Sequence, residues 1–199
     1  MQAEDGMKRV IRDALEAHRR VADDLVKTFS TPIEEAAGRI IACYKQGGKV
    51  LVMGNGGSAA DAQHMAAELV GRYRRERAAL PAIALTTDTS ILTAVANDYS
   101  YADVFKRQVE AHVRPGDVVI GISTSGNSEN VLRALTLAKQ RGAVTIALGG
   151  GGGGRMKDLA DLALIAPSGD TPRIQEAHIT IIHILCDLVE DAMAGDDAR

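Results

Sequence analysis

A chain of 199 residues is long enough for one domain with a sizeable core, and its net charge of −3 gives no electrostatic case for nucleic acid. Aromatic residues are 3% of the total with no Trp, which argues against a base-stacking platform. The core is then Ala, Val, Ile and Leu, a composition typical of helices packed on a parallel sheet. Met1 to Gly6 is polar and acidic, no run reaches membrane length, and Cys43 and Cys186 lack a CxxC spacing. These features lead us to expect a cytoplasmic protein without membrane partners, both thiols being reduced core residues.

Taken in order, residues 7–29 carry Val10, Ile11, Leu15, Val21, Leu25 and Val26 on one stripe of a charged segment. This predicts a helix, and one that packs on a second subunit. Ser30-Thr31-Pro32 signals another helix, with Thr31 as cap, Pro32 at the first position and Glu34 and Glu35 in the first turn, running to Gln46 and stopping at Gly47-Gly48. Strand and helix patterns then alternate. Strands are predicted at 49–53, 81–85, 117–122, 143–148 and 162–165, and helices at 58–73, 89–96, 102–112, 128–141, 155–160 and 172–193. Such alternation implies an α/β fold, a parallel sheet with helices on both faces. The chain reads as a single domain, with N-terminal helices over 1–47 and the sheet core and last helix over 48–199. Ligands in such folds bind beyond the carboxyl ends of the strands, where loops 54–58, 86–98 and 123–128 fall. Gly149 to Gly154 reads as a flexible surface turn. Arg72 to Arg77 reads as a solvated helix end, from which Arg72, four residues past Glu68, could reach a phosphate.

The stretch from Val50 to Glu68 is a buried strand, a glycine turn and a helix. Gly54, Gly56 and Gly57 let backbone N–H groups approach a ligand, with Ser58 expected as N-cap and Asp61 in the first helical turn. His64 and Glu68 follow at i, i+4, about 40° apart on one face. An imidazole and a carboxylate so placed could be an acid/base pair or half of a metal site. A second signature, Ser123-Thr124-Ser125-Gly126-Asn127-Ser128, puts a strand end, several hydroxyls and a helix capped by Asn127 or Ser128 in one small volume. That suits a phosphate held without a cationic side chain. With no GxxxxGK[ST] anywhere, a nucleotide cofactor is not expected. In the last helix Gln175 and His183 lie two turns apart on neighbouring edges of one face. Among Ile181, Ile182 and Ile184, His183 fits either a hydrogen-bonded core residue or a ligand, and His178, on another face, reads as structural.

GNGGSAADAQHMAAEL, the Ala96-Asn97-Asp98 triplet, STSGNS and RIQEAHI followed by His183 together resemble the phosphoheptose isomerases of the sugar-isomerase (SIS) domain superfamily. STSGNS alone marks only the superfamily; its combination with HxxxE and the Gln/His helix is far more specific, and the match runs over nearly the whole chain. The resemblance implies a five-stranded parallel sheet in a three-layer sandwich. It also implies a homotetramer with sites between subunits, and conversion of sedoheptulose 7-phosphate to a heptose 7-phosphate for lipopolysaccharide or capsule. Carried over residue by residue, it implies phosphate at Ser123, Thr124, Ser125 and Ser128, and the sugar chain at Asn55, Gly56, Gly57, Asn97 and Asp98, beside His64, Glu68 and Gln175. Glu68 and His183 become the acid/base pair, and zinc is implied at His64, Glu68, Gln175 and His183. The six-glycine run and Ser168 to Pro172 depart from the family pattern. The residues agree with the chemistry: moving a carbonyl to the next carbon needs one base and one group to manage the oxygen protons. The rival from another class is a non-catalytic SIS-domain binding protein of the replication-initiator-associating type, which would lack part of the acid/base set.

Overall fold

A computed structural model describes residues 2–194, with side chains from residue 6 onward. Two helices, α1 (Gln2–Thr28) and α2 (Ser30–Lys45), precede the sheet. Then follow β1 (Val50–Gly54), α3 (Gly57–Val70), β2 (Ala82–Ala84), α4 (Thr89–Asp98), a 3-10 turn (Tyr101–Asp103) and α5 (Val104–His112). The chain continues through β3 (Val118–Ser123), α6 (Glu129–Gln140), β4 (Val144–Gly150), α7 (Gly154–Leu159), β5 (Leu162–Ala166) and α8 (Thr171–Met193). All strand pairs are parallel, in the order β2-β1-β3-β4-β5.

Alternation within the strands divides the core in two. Val50, Val52, Val118, Ile120, Ile122, Ile146 and Leu148 face α2, α3 and α8, through Ile40, Met65, Ile182 and Leu185 among others. Leu51, Met53, Val119 and Ala147 face the other way, toward Phe105 and Val109 of α5, Leu135 of α6 and Met156 of α7. Both faces are covered, which is why the strands read as continuous apolar runs. The order reverses between β1 and β3, since β1 leads to β2 on one side and β3 leads to β4 on the other. The crevice at such a switch point is where α/β folds bind ligands, and the register Gly54↔Ile122 sets the turn after β1 beside the turn after β3.

The expected elements are all present, and the differences lie at their ends. Helix α2 begins at Ser30 with Phe29 in the cap position and no side-chain cap bond, so Thr31 is inside the helix and Pro32 lies in its first turn. Ser58 is not the N-cap of α3 either; that position is Gly56 at φ +56°, and Ser58 is buried in the first turn. Of the six glycines only Gly151 and Gly152 form the expected exposed surface turn. Gly149 and Gly150 are buried residues of β4, and Gly153 is buried beyond it. The arginine run is not a helix end, because α3 stops at Val70 and the chain turns back. Cys43 and Cys186 are free and buried, as expected. Among the described residues no helix is long and apolar enough to cross a membrane.

Candidate active site

Two turns and two helices make the site. Gly56 takes a positive φ, and from there α3 runs back along the sheet. Asn55 exchanges amide hydrogen bonds with Asn130 in the first turn of α6, Asn55 Nδ2 donating to Asn130 Oδ1 at 3.0 Å and Asn130 Nδ2 donating to Asn55 Oδ1 at 2.8 Å. The Tyr101 hydroxyl donates to the same Asn55 oxygen at 3.0 Å. These contacts tie the turns after β1 and β3 to the segment that follows α4. Asn130 and Tyr101 escaped the sequence reading; the only signal was an Asn two residues beyond the hydroxyl run.

The hydroxyl turn is connected internally. Ser123 Oγ lies 2.9 Å from Ser128 Oγ and 3.4 Å from Ser125 Oγ. Ser128 occupies the N-cap position of α6 but makes no side-chain cap bond. The Ser128 hydroxyl, paired with Ser123, therefore does not cap the helix, and Val131 N–H donates to Asn130 Oδ1 at 3.0 Å, so the N–H groups of Glu129 and Asn130 are the ones that face the hydroxyl turn. Ser123 is buried, Thr124 and Ser128 are half-buried, and Ser125 is exposed.

The glycine run supports this turn. Gly126, at φ +66°, lies so close to Gly153 that a methyl group there would overlap the Gly153 carbonyl, and one on Gly154 would come within 2.6 Å of the Ser125 oxygen. Met156 N–H donates to the Gly126 carbonyl at 3.0 Å, and Arg155 N–H donates to Asn127 Oδ1 at 3.1 Å. Backbone thus lies on backbone, a packing that only residues without Cβ allow.

On α3 and α8 the histidines meet. His64 Nε2 stands 3.1 Å from His183 Nε2 and 3.1 Å from Glu68 Oε1. The imidazole rings are 5.0 Å apart, and the Glu68 side chain is 23% exposed, so the cluster is reachable yet sheltered. Gln175 is elsewhere on α8. Its amide packs on Gly57, so closely that a Cβ there would overlap it. Asn97 and Asp98 end α4, exposed, with Asn97 Nδ2 donating to Asp98 Oδ1 at 2.8 Å. His178 is buried and its Nε2 lies 2.9 Å from the Gly149 carbonyl, a structural role as expected. Near the cluster, Asp61 has one carboxylate oxygen buried without a partner. Burial pushes its pKa up to about 6, against the pull of His64.

Whether a metal fits is a question of donors. Two imidazole nitrogens and one carboxylate oxygen converge with too few protons to satisfy every contact, and zinc prefers N and O donors of this kind. Their 3.1 Å separations are close to the edge, about 3.3 Å, of a tetrahedron with zinc–nitrogen bonds. Among the described residues, however, no three His, Cys, Asp or Glu side chains are arranged to hold an ion as they stand. The donor chemistry fits, and the arrangement is that of a hydrogen-bonded cluster.

A profile of the SIS domain matches residues 15–150, so this is an SIS domain protein. The chain is 62% identical over 180 residues to the phosphoheptose isomerase of Citrifermentans bemidjiense, covering 90% of this chain and 94% of that one. It is 58% identical over 187 residues to the phosphoheptose isomerase of Geobacter metallireducens, covering 94% and 99%. The solved phosphoheptose isomerase of Neisseria gonorrhoeae superposes with a TM-score of 0.87 at 45% identity, over 93% of this chain and 98% of that one. The chain belongs to the phosphoheptose isomerase family.

Ser125→Ala and Ser128→Ala should mainly weaken substrate binding. If this turn holds the substrate phosphate, each removes a hydrogen bond to a charged group, worth about 1.5–3 kcal/mol, or roughly a tenfold to hundredfold rise in KM at similar kcat. Parental affinity for a phosphorylated sugar in both variants would put the phosphate elsewhere.

Proposed function

We propose that the chain interconverts sedoheptulose 7-phosphate and D-glycero-D-manno-heptose 7-phosphate through an enediol(ate). The observation that carries this reading is the meeting of Glu68 and His183 at His64, on helices that start or pack beside the ligand turns. Along α3 the rise from Gly57 to His64 is about 10 Å. An extended heptose 7-phosphate spans a similar length from phosphorus to C1, at about 1.2 Å per bond. A sugar anchored beside the start of α3, where the register sets the hydroxyl turn next to the glycine turn, can therefore reach toward His64.

In this reading Glu68 takes a proton from C1 and later returns it to C2. His183 gives a proton to the C2 oxygen and recovers one from the C1 oxygen. Atoms balance, and the same two groups serve both directions. Asn55 and the N–H groups of the glycine turn orient the chain hydroxyls. A non-catalytic binding role is not favoured, since the acid, the base and the hydroxyl turn are all present in a family of isomerases.

The reading extends to zinc, which His64, Glu68 and His183 would hold and which, when bound, would act as a Lewis acid on the oxygens at C1 and C2; Gln175, expected as a fourth ligand, packs on Gly57 instead. It extends also to a homotetramer. Met7, Val10, Ile11, Leu15 and Val26 of α1 and Ile184 and Leu188 of α8 leave large apolar side chains exposed, the kind of surface a partner subunit covers. The product's destination in this reading is lipopolysaccharide or capsule, made in the cytoplasm.

The test is purified protein with sedoheptulose 7-phosphate, followed by separation of the isomers, with and without chelator. Product should form, and absence of product sinks the isomerase reading. Zinc should co-purify at about one ion per chain, and chelation should lower the rate reversibly. Full activity after exhaustive removal of zinc would leave the acid/base pair standing and take the metal out of the reading. Light scattering should give the mass of four chains.

A further inference from the structure

Resting on the isomerase reading, we propose that Tyr73 is a positioning residue for His183, seated against it by a buried bracket of Glu190 and Arg77. After α3 ends at Val70, the chain turns over α8, and one carboxylate organises the turn. Glu190, 1% exposed, accepts the backbone N–H groups of Tyr73 at 2.8 Å, Arg74 at 2.6 Å and Arg75 at 2.8 Å. Three consecutive N–H groups on one carboxylate form an anion-binding nest, closed here by a side chain of the same protein. The counter-charge is Arg77, whose side chain is 2% exposed and whose Nε lies 3.3 Å from Glu190, a charge contact without hydrogen-bond alignment. The guanidinium spends its other donors on backbone carbonyls: Glu68 at 2.8 Å, Gly71 at 3.1 Å and Ala78 at 3.0 Å.

The bracket therefore touches both halves of the acid/base pair. Through Arg77 it caps the end of α3 at the carbonyl of Glu68 itself. Through Glu190, seven residues past His183 and so on nearly the same side of α8, it fixes the backbone of Tyr73. The Tyr73 ring then lies 5.6 Å from the His183 ring, tilted by 30° to it, within the range of roughly 4.5–7 Å for interacting ring pairs. Arg74 covers the Tyr73 ring at 5.0 Å and reaches Asp187 of α8 at 3.3 Å. His64 and Tyr73 both approach the ring, leaving His183 little freedom to rotate away from His64, which in turn contacts Glu68. A buried carboxylate held by three N–H groups and an arginine is more than a tight turn requires; what it adds is a fixed face for His183.

The test separates the ring from the fold. Tyr73→Phe keeps the flat face, and Tyr73→Leu removes it while filling much of the space. We expect Tyr73→Leu to lower kcat about 10-fold to 100-fold, the usual cost of losing an outer-shell partner, with KM within about threefold. Its His183 ring-proton NMR signals, identified by their loss in His183→Gln, should move as the stacked ring is lost. Tyr73→Phe should restore both the rate and the signals. Parental kcat in Tyr73→Leu overturns the proposal, and so does a Phe variant as impaired as the Leu variant. Glu190→Gln, which replaces one of the two accepting oxygens with an NH2 set against at least one of the three N–H groups, should match Tyr73→Leu; if it does not fold, the Tyr73 pair still decides. A parent enzyme with no turnover overturns the isomerase reading instead, and the position of the His183 signals then decides the stacking by itself.

Discussion

Glu68→Gln should cut turnover of sedoheptulose 7-phosphate by about 10²–10⁴-fold, the usual weight of a positioned general base. The amide is isosteric with the carboxylate, and its oxygen can still receive the 3.1 Å contact from His64. Helix α3 and its packing on α8 should accordingly survive, and circular dichroism and oligomer mass should match the parent. The amide cannot accept a proton from C1. Two readouts should then fail together: isomer formation, and solvent deuterium uptake into substrate. Exchange that persisted without isomerisation would give Glu68 a later role than proton removal. Near-parental turnover would remove it from the chemistry.

Gly126→Ala should be almost as damaging by a different route. The residue is held at φ +66°, where a Cβ is strained, and that Cβ would overlap the Gly153 carbonyl. No side chain can rotate aside, because both partners are main chain. Either the hydroxyl turn or the glycine run must move, and the strain alone costs about 1–3 kcal/mol. Ser123, Ser125 and Ser128 would then no longer share one small volume. We expect KM to rise more than tenfold and the melting temperature to fall, with kcat at saturation less affected than in Glu68→Gln. Gly152→Ala, at a position where a methyl meets nothing within 4 Å, is the control and should bind normally. Normal substrate affinity in Gly126→Ala would mean that the contact with the glycine run does not shape the hydroxyl turn.

The elements were legible because their signals are local. Strands buried on both faces read as Val-Leu-Val-Met and Val-Val-Ile, and helices carry a stripe that breaks at glycine. The cluster was legible in pieces: i, i+4 spacing gave His64 and Glu68 a common face, while His183 stood open between core and ligand until α8 packed along α3. What stayed hidden depends on contacts remote in sequence. Glu190 and Arg77 are charges that look solvated and are buried, because their partners are backbone groups that no side-chain pattern announces. The glycine run looked loose for the same reason, since its function is to make room for Gly126 from a neighbouring turn. Ser58 missed its expected cap because a glycine at φ +56° had already begun the helix. Gln175 illustrates a further limit: helix periodicity places it on a face with His183, but two turns of α8 separate them by about 12 Å, and its amide packs on Gly57.

The buried thiols give the protein its own clock. Burial raises the Cys43 thiol, with the Asp117 charge adding to it, and pushes Cys186 up to about 12, where the Glu68, Glu190 and Asp187 carboxylates add to the effect and Arg77 opposes it. An alkylating reagent reacts with thiolate, so it meets almost none in the closed chain at neutral pH. Labelling must await an opening, and the two sulfurs sit on different helices of one core, Cys43 on α2 and Cys186 on α8. Unequal labelling rates would mean that the N-terminal pair of helices undocks while the helix bearing His183 stays in place; equal rates would mean that the whole face opens as one cooperative unit. No dye, tag or added residue is required to tell the two apart.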